Sequence, residues 1–86
     1  MTKIQTACIG TGYFSQFHYD AWRRIEGVEL VASSSLNLDE AKATGLPAFD
    51  DAADMLKEAS PDLVDIITPP SCHLELIRLC VASGVK

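Results

Sequence analysis

One junction constrains this chain more than any other feature: a short apolar run, Ile4–Ile9, ends in Gly10-Thr11-Gly12 and passes at once into a stretch with helical spacing. A strand that turns sharply on glycine into a helix must send its next strand back beside the first. Chirality makes that crossover right-handed, so the sheet is parallel. The alternation then repeats. Phe14, Phe17, Ala21, Trp22 and Ile25 recur at three- and four-residue spacing and predict the inward face of a helix over residues 15–25, stopped by Gly27. Residues 28–32 read as a second strand leading into the triplet Ser33, Ser34 and Ser35. Asn37 is placed to cap a short helix over residues 38–44, with Asp39 and Glu40 in its first turn, where the helix dipole favours negative charge.

Pro47, Ala48 and Phe49 suggest a very short third strand, and Asp50 or Asp51 caps a further helix ending near Ala59. Ser60-Pro61-Asp62 is a turn. Residues 63–68 form the last strand, with Ile66 and Ile67 expected to be buried on both faces. Ser71 then caps a helix whose residues Leu74, Ile77 and Val81, with Leu76 and Cys80 one step round, are expected to face inward, and Gly84 ends it. The order β-α-β-α-β-α-β-α predicts a Rossmann-like, three-layer α/β fold: a parallel sheet of about four strands with helices on both faces.

Length and charge narrow the function. Eighty-six residues make one domain, 1–86. The net charge is −5 and the seven Lys and Arg are scattered, which argues against nucleic acid or an anionic membrane surface as partner. No apolar run approaches the roughly 18 residues of a membrane span. Cys8, Cys72 and Cys80 are an odd count without a C-x-x-C pair, so a disulfide framework is not expected and a reducing cytoplasm fits. With His18 and His73 they match no standard zinc spacing, so no metal is expected.

Gly10-Thr11-Gly12-Tyr13-Phe14-Ser15 is the strongest chemical signal. Between a strand and a helix, the first glycine permits the turn, the second lets a pyrophosphate approach the backbone, and a small third residue lets helix and strand pack closely. The Ser15 hydroxyl could add a phosphate contact. An acid about 20 residues further on would take the adenosine ribose, but that place holds Ser33, Ser34 and Ser35, followed by Leu36 rather than an arginine. The serines therefore leave NAD and NADP both open. Thr68-Pro69-Pro70-Ser71-Cys72-His73 falls at the carboxyl end of the last strand, beside the crevice where open α/β sheets bind ligands. There Thr68 could donate to an oxygen, Pro69 and Pro70 offer a flat apolar surface, and His73, at a helix N-terminus, is expected to be neutral. His18 reads as structural, and Asp62 and Asp65, which flank the last strand and by alternation point to opposite faces, are given no catalytic role.

Together these residues resemble the glucose-fructose oxidoreductase, inositol dehydrogenase and rhizopine-catabolism (Gfo/Idh/MocA) family. The likeness runs from Gly10, Gly12 and Ser15, with His18 downstream, through Gly27-Val28-Glu29-Leu30-Val31-Ala32 and Leu63-Val64-Asp65-Ile66-Ile67-Thr68-Pro69-Pro70 with His73, to Ala82-Ser83-Gly84-Val85-Lys86. It implies a nicotinamide dinucleotide cofactor, NAD or NADP, and an oxidoreductase acting on sugars, polyols or related carbonyl compounds. The family continues with a strand ending in Glu-Lys-Pro, whose lysine serves the chemistry, and with a substrate domain. Lys86 stands before that strand, so the resemblance implies an incomplete, truncated first half of a dinucleotide-binding domain, with hydride transfer in the intact parent only and no catalytic residue in this chain. The last strand would then be an unpaired sheet edge, and a homodimer joined antiparallel through it is expected. Two other readings are a self-associating fragment without catalysis and an S-adenosylmethionine methyltransferase, which the missing strand-end acid opposes.

Overall fold

The computed structural model describes residues 3–12, 15–68 and 70–85, and the side chains of all of these except Pro70 and Cys72. The elements are β1 (Ile4–Ile9), α1 (Ser15–Arg24), β2 (Val28–Ser34), α2 (Leu38–Lys42), β3 (Ala48–Phe49), α3 (Ala52–Ala59), β4 (Leu63–Ile66) and α4 (Pro70–Ala82). All strand pairs are parallel, in the order β3-β2-β1-β4. The Rossmann-like α/β architecture expected from the alternation is the one found. The order reverses between β1 and β4, because α1 and α2 carry the chain one way along the sheet and α3 carries it back. Right-handed crossovers therefore place α1 and α2 on one face and α3 on the other.

Local chemistry sets most element ends. The Asn37 side chain accepts from the amides of Asp39 and Glu40, and the Asp51 side chain from Ala53. Gly27, with φ 87°, turns α1 into β2, and its carbonyl accepts from Ile4. Several boundaries differ from the sequence reading. β2 runs on through Ser33 and Ser34, because β1 and β3 pair with it on both sides there. α2 ends at Lys42, where the Thr44 hydroxyl turns back onto the Ala41 carbonyl. β4 ends at Ile66, although the Ile67 amide still reaches Ile9 O at 2.7 Å. α4 begins at Pro70, so Ser71 lies in its first turn and is not its cap; a proline at the first helical position has no N–H to leave unsatisfied.

The two faces of the sheet are chemically different. Ala7, Ile9 and Ala32 join Met55 and Leu56 of α3 and Cys80 of α4 in the apolar core. By alternation Thr6, Cys8 and Ser33 look the other way, towards α1, and all three are fully buried. That polar seat corrects the expected face of α1. Tyr19 is buried, while Phe17 and Ile25 are 57% and 47% exposed and Ala21 is exposed as well. Phe14 lies outside the described residues. α4 needs a similar correction: Leu76 and Leu79 pack on the core beside Cys80, whereas Leu74, Ile77 and Val81 are 59%, 49% and 68% exposed. The helix carries two apolar stripes, and the sheet beneath decides which is covered. Ile66 and Ile67 are half-buried, since β4 is the edge strand among the described residues.

Candidate functional site

The carboxyl ends of β1, β2 and β4 open into one crevice of about 450 Å³, within the size range of small-ligand sites. Ile9, Gly10, Thr11 and Gly12 enter it from β1, Ser34, Ser35 and Leu36 from β2, and Ile67 and Thr68 from β4. Leu76 and Leu79 of α4 supply an apolar wall, and Glu40, Asp50, Asp51 and Glu75 bring carboxylates to it. Among the described residues that line the crevice, none is Lys or Arg.

The turn is built tightly on one side and openly on the other. Gly10 has φ 118°, and a Cβ placed on it would stand 2.6 Å from Ile67 O and 2.9 Å from Ile67 C. Only glycine lets β1 end so close to β4. The Gly10 amide donates to Ser34 O at 2.8 Å, which ties the turn to β2 as well. Gly12 is exposed, and among the described residues nothing lies within 4 Å of where its Cβ would be. This is the free space that the approach of a phosphate to backbone requires. On the far side of the crevice the Thr68 Oγ1 is buried and has no hydrogen-bond partner among the described residues.

The sequence-derived candidates are distributed unevenly. Ser34 and Ser35 line the crevice, but Ser33 is not part of it: its side chain points under α1, where its Oγ lies 2.6 Å from the Tyr19 hydroxyl. Ser15 is buried and its hydroxyl donates to Gly12 O at 2.6 Å, as does its amide at 2.9 Å, so its contacts stabilise the turn. The His73 Nε2 donates to Thr68 O at 2.6 Å, fastening α4 to the end of β4, and His73 does not line the crevice. Tyr13, Phe14 and Pro69 lie outside the described residues, and Pro70 is described as backbone only.

Other side chains at the site were not singled out by spacing. The Thr11 hydroxyl donates to Ser35 Oγ at 2.7 Å and lies 3.3 Å from Glu40 Oε2, while Ser35 Oγ also accepts from the Asn37 amide. The Tyr19 hydroxyl spans Gly10 O at 3.1 Å and Ser33 Oγ, clamping the turn from below. Burial pushes the Tyr19 phenol up to about 12, against an opposing effect of the Ser33 hydrogen bond; burial, then the nearby Asp65, pushes the Cys8 thiol up to about 12. Asp65 Oδ2 takes the His18 Nδ1 and the Trp22 Nε1–H, each at 2.8 Å, and so moors α1 to β4. This gives His18 the structural part expected of it, through a carboxylate. The signal for Asp65 was an inward carboxylate in an otherwise apolar strand, which must find donors.

The chain matches the family model for the Gfo/Idh/MocA group, "Oxidoreductase family, NAD-binding Rossmann fold", over residues 4–86. It is 36% identical to a D-apiose dehydrogenase of Paraburkholderia graminis over 88 residues, covering 96% of this chain and 24% of that protein. An oxidoreductase of Agrobacterium radiobacter, solved in complex with NAD+, L-tartaric acid and magnesium, superposes with a TM-score of 0.91 at 27% identity, over 98% of this chain and 26% of that one. A scyllo-inositol dehydrogenase of Lactobacillus casei with bound NAD(H) and scyllo-inositol gives a TM-score of 0.88 at 27% identity, over 98% of this chain and 27% of that one. The chain thus spans about a quarter of the length of the relatives it matches.

Proposed function

Because the chain belongs to the Gfo/Idh/MocA oxidoreductase family, whose matching part is an NAD-binding Rossmann domain, we propose that its crevice holds the dinucleotide of an oxidoreductase acting on a sugar, polyol or related carbonyl compound. The observation that carries this reading is the glycine turn, locked against Ile67 at Gly10 and open above Gly12. The residues present fit the cofactor. Gly10 makes the tight turn and the exposed Gly12 leaves backbone accessible to the pyrophosphate, Ser34 and Ser35 stand where β2 would meet the adenosine ribose, and the Thr68 hydroxyl is a ready donor on the opposite side. In this reading His73 serves the crevice by holding the Thr68 carbonyl, and the Tyr13, Phe14, Pro69 and Pro70 assignments rest on the sequence motifs. The nicotinamide, when bound, supplies the hydride chemistry; this chain's share is to bind, orient and exclude water. No proton donor or substrate pocket is assigned to the described residues in this reading, and a reducing cytoplasm suits the buried thiols of Cys8 and Cys80.

Titration of the chain with NADH and NADPH, followed by cofactor fluorescence, tests this. Saturable binding is expected, and loss of it in Gly12→Val, whose side chain enters open space and so spares the fold. No binding up to millimolar cofactor would overturn the reading.

A second proposal concerns assembly. Among the described residues β4 is a sheet edge, and α4 beside it exposes Leu74, Ile77 and Val81. An edge with unpaired amides and carbonyls next to an apolar stripe favours a homodimer, joined antiparallel about a two-fold axis. Sedimentation should show a dimer; a monomer at all concentrations, with β4 amides well protected from exchange, would refute it.

A further inference from the structure

Resting on that reading, we propose that Glu40 makes the crevice selective for NAD over NADP, supplying from α2 the carboxylate that the end of β2 lacks. Glu40 is exposed on the crevice wall beside Ser35 and Leu36, with its Oε2 3.3 Å from the Thr11 Oγ1. The neighbouring serine cannot do this work. Ser35 Oγ already takes the Thr11 proton and the Asn37 amide, so what it has left is a hydrogen to donate. A ribose diol needs an acceptor for its own hydroxyl hydrogens, and Glu40 is the acceptor at that corner.

The same group disfavours a 2′-phosphate. Such a phosphate brings roughly −1.5 to −2 charges and asks for Arg or Lys. The crevice offers Glu40, Asp50, Asp51 and Glu75 and, among its described residues, no cation. Leu36, wholly exposed, stands where an arginine after β2 would greet that phosphate. Repulsion through water is screened by salt, so selectivity built this way weakens as ionic strength rises.

The test is a set of dissociation constants for NADH and NADPH, measured by fluorescence titration on the whole chain at low and high salt. NADH is expected to bind at least about tenfold more tightly at low salt, the scale of one charge-assisted hydrogen bond. Glu40→Gln should weaken NADH and narrow the preference, and Glu40→Arg should reverse it. Glu58→Gln, the same charge change on exposed α3 surface, should leave it unchanged. Circular dichroism of each variant checks that the fold is kept. Equal affinity for the two cofactors in the parent chain, or a preference untouched by Glu40→Gln, overturns the proposal while leaving the dinucleotide reading intact. Binding of neither cofactor overturns both.

Discussion

Substituting Gly10 by alanine tests the geometry on which the site depends. The added methyl would stand 2.6 Å from Ile67 O and 2.9 Å from Ile67 C, both backbone atoms that no rotamer change can move. The backbone would also hold φ 118° with a Cβ attached. Strain of that kind costs about 1–3 kcal/mol. Forcing β1 and β4 apart adds about 1–3 kcal/mol of overpacking and puts the 2.7 Å Ile67–Ile9 hydrogen bond at risk. The sum, roughly 2–6 kcal/mol, is a large part of the ~4–13 kcal/mol expected of a domain this size. With a urea m-value of about 1 kcal/mol/M, the unfolding midpoint should fall by about 2 M or more. Gly12→Ala is the matched control, because no atom of the described residues lies within 4 Å of the new methyl; its midpoint should move by less than about 0.5 M. Equal midpoints for the two variants would refute the argument that Gly10 is required by close packing and Gly12 by the ligand.

Four further outcomes are expected. Tyr19→Phe removes the hydroxyl that joins Gly10 O to Ser33 Oγ and should cost about 1–3 kcal/mol by urea unfolding. Thr6→Val removes a fully buried hydroxyl that has no partner among the described residues and should stabilise by about 1 kcal/mol in the same assay. Asn37→Ala deletes the α2 cap, costing about 1 kcal/mol, and because α2 carries Glu40 it should also weaken NADH binding in the fluorescence titration. Cys8 and Tyr19 are held near 12 in the fold against 9.0 and 10.0 when free, so the unfolded chain releases their protons first. Their contribution is whole below about pH 9 and is lost as the pH climbs from there towards 12, so urea midpoints should decline over that window, and Cys8→Ala should flatten the decline.

Much of the architecture was legible in one dimension. The alternation of apolar runs with helical spacing, punctuated by Gly27, Asn37 and Asp51, dictates a parallel α/β sheet, because capping and turn chemistry act over a few residues and need no partner from elsewhere. The glycine turn was legible for the same reason. Which side of each helix is covered was not. α1 and α4 each carry more apolar residues than one face can hide, and only the seat beneath them, polar Thr6, Cys8 and Ser33 in one case and Ala7, Ile9 and Met55 in the other, selects Tyr19 over Phe17 and Leu79 over Leu74.

The site divides along the same line. Gly10, Gly12 and Thr68 could be placed from sequence, since a strand's carboxyl end is a position along the chain. The roles of Ser33 and Glu40 could not. Pairing on both sides carries β2 through Ser33 and Ser34 and buries Ser33 against Tyr19, while the capped turn of α2 folds Glu40 back to Thr11 across 29 residues of chain. Local composition chose the elements and their order. Long-range packing chose which hydroxyls line the crevice and which meet the core, because that depends on surfaces assembled only when distant segments come together.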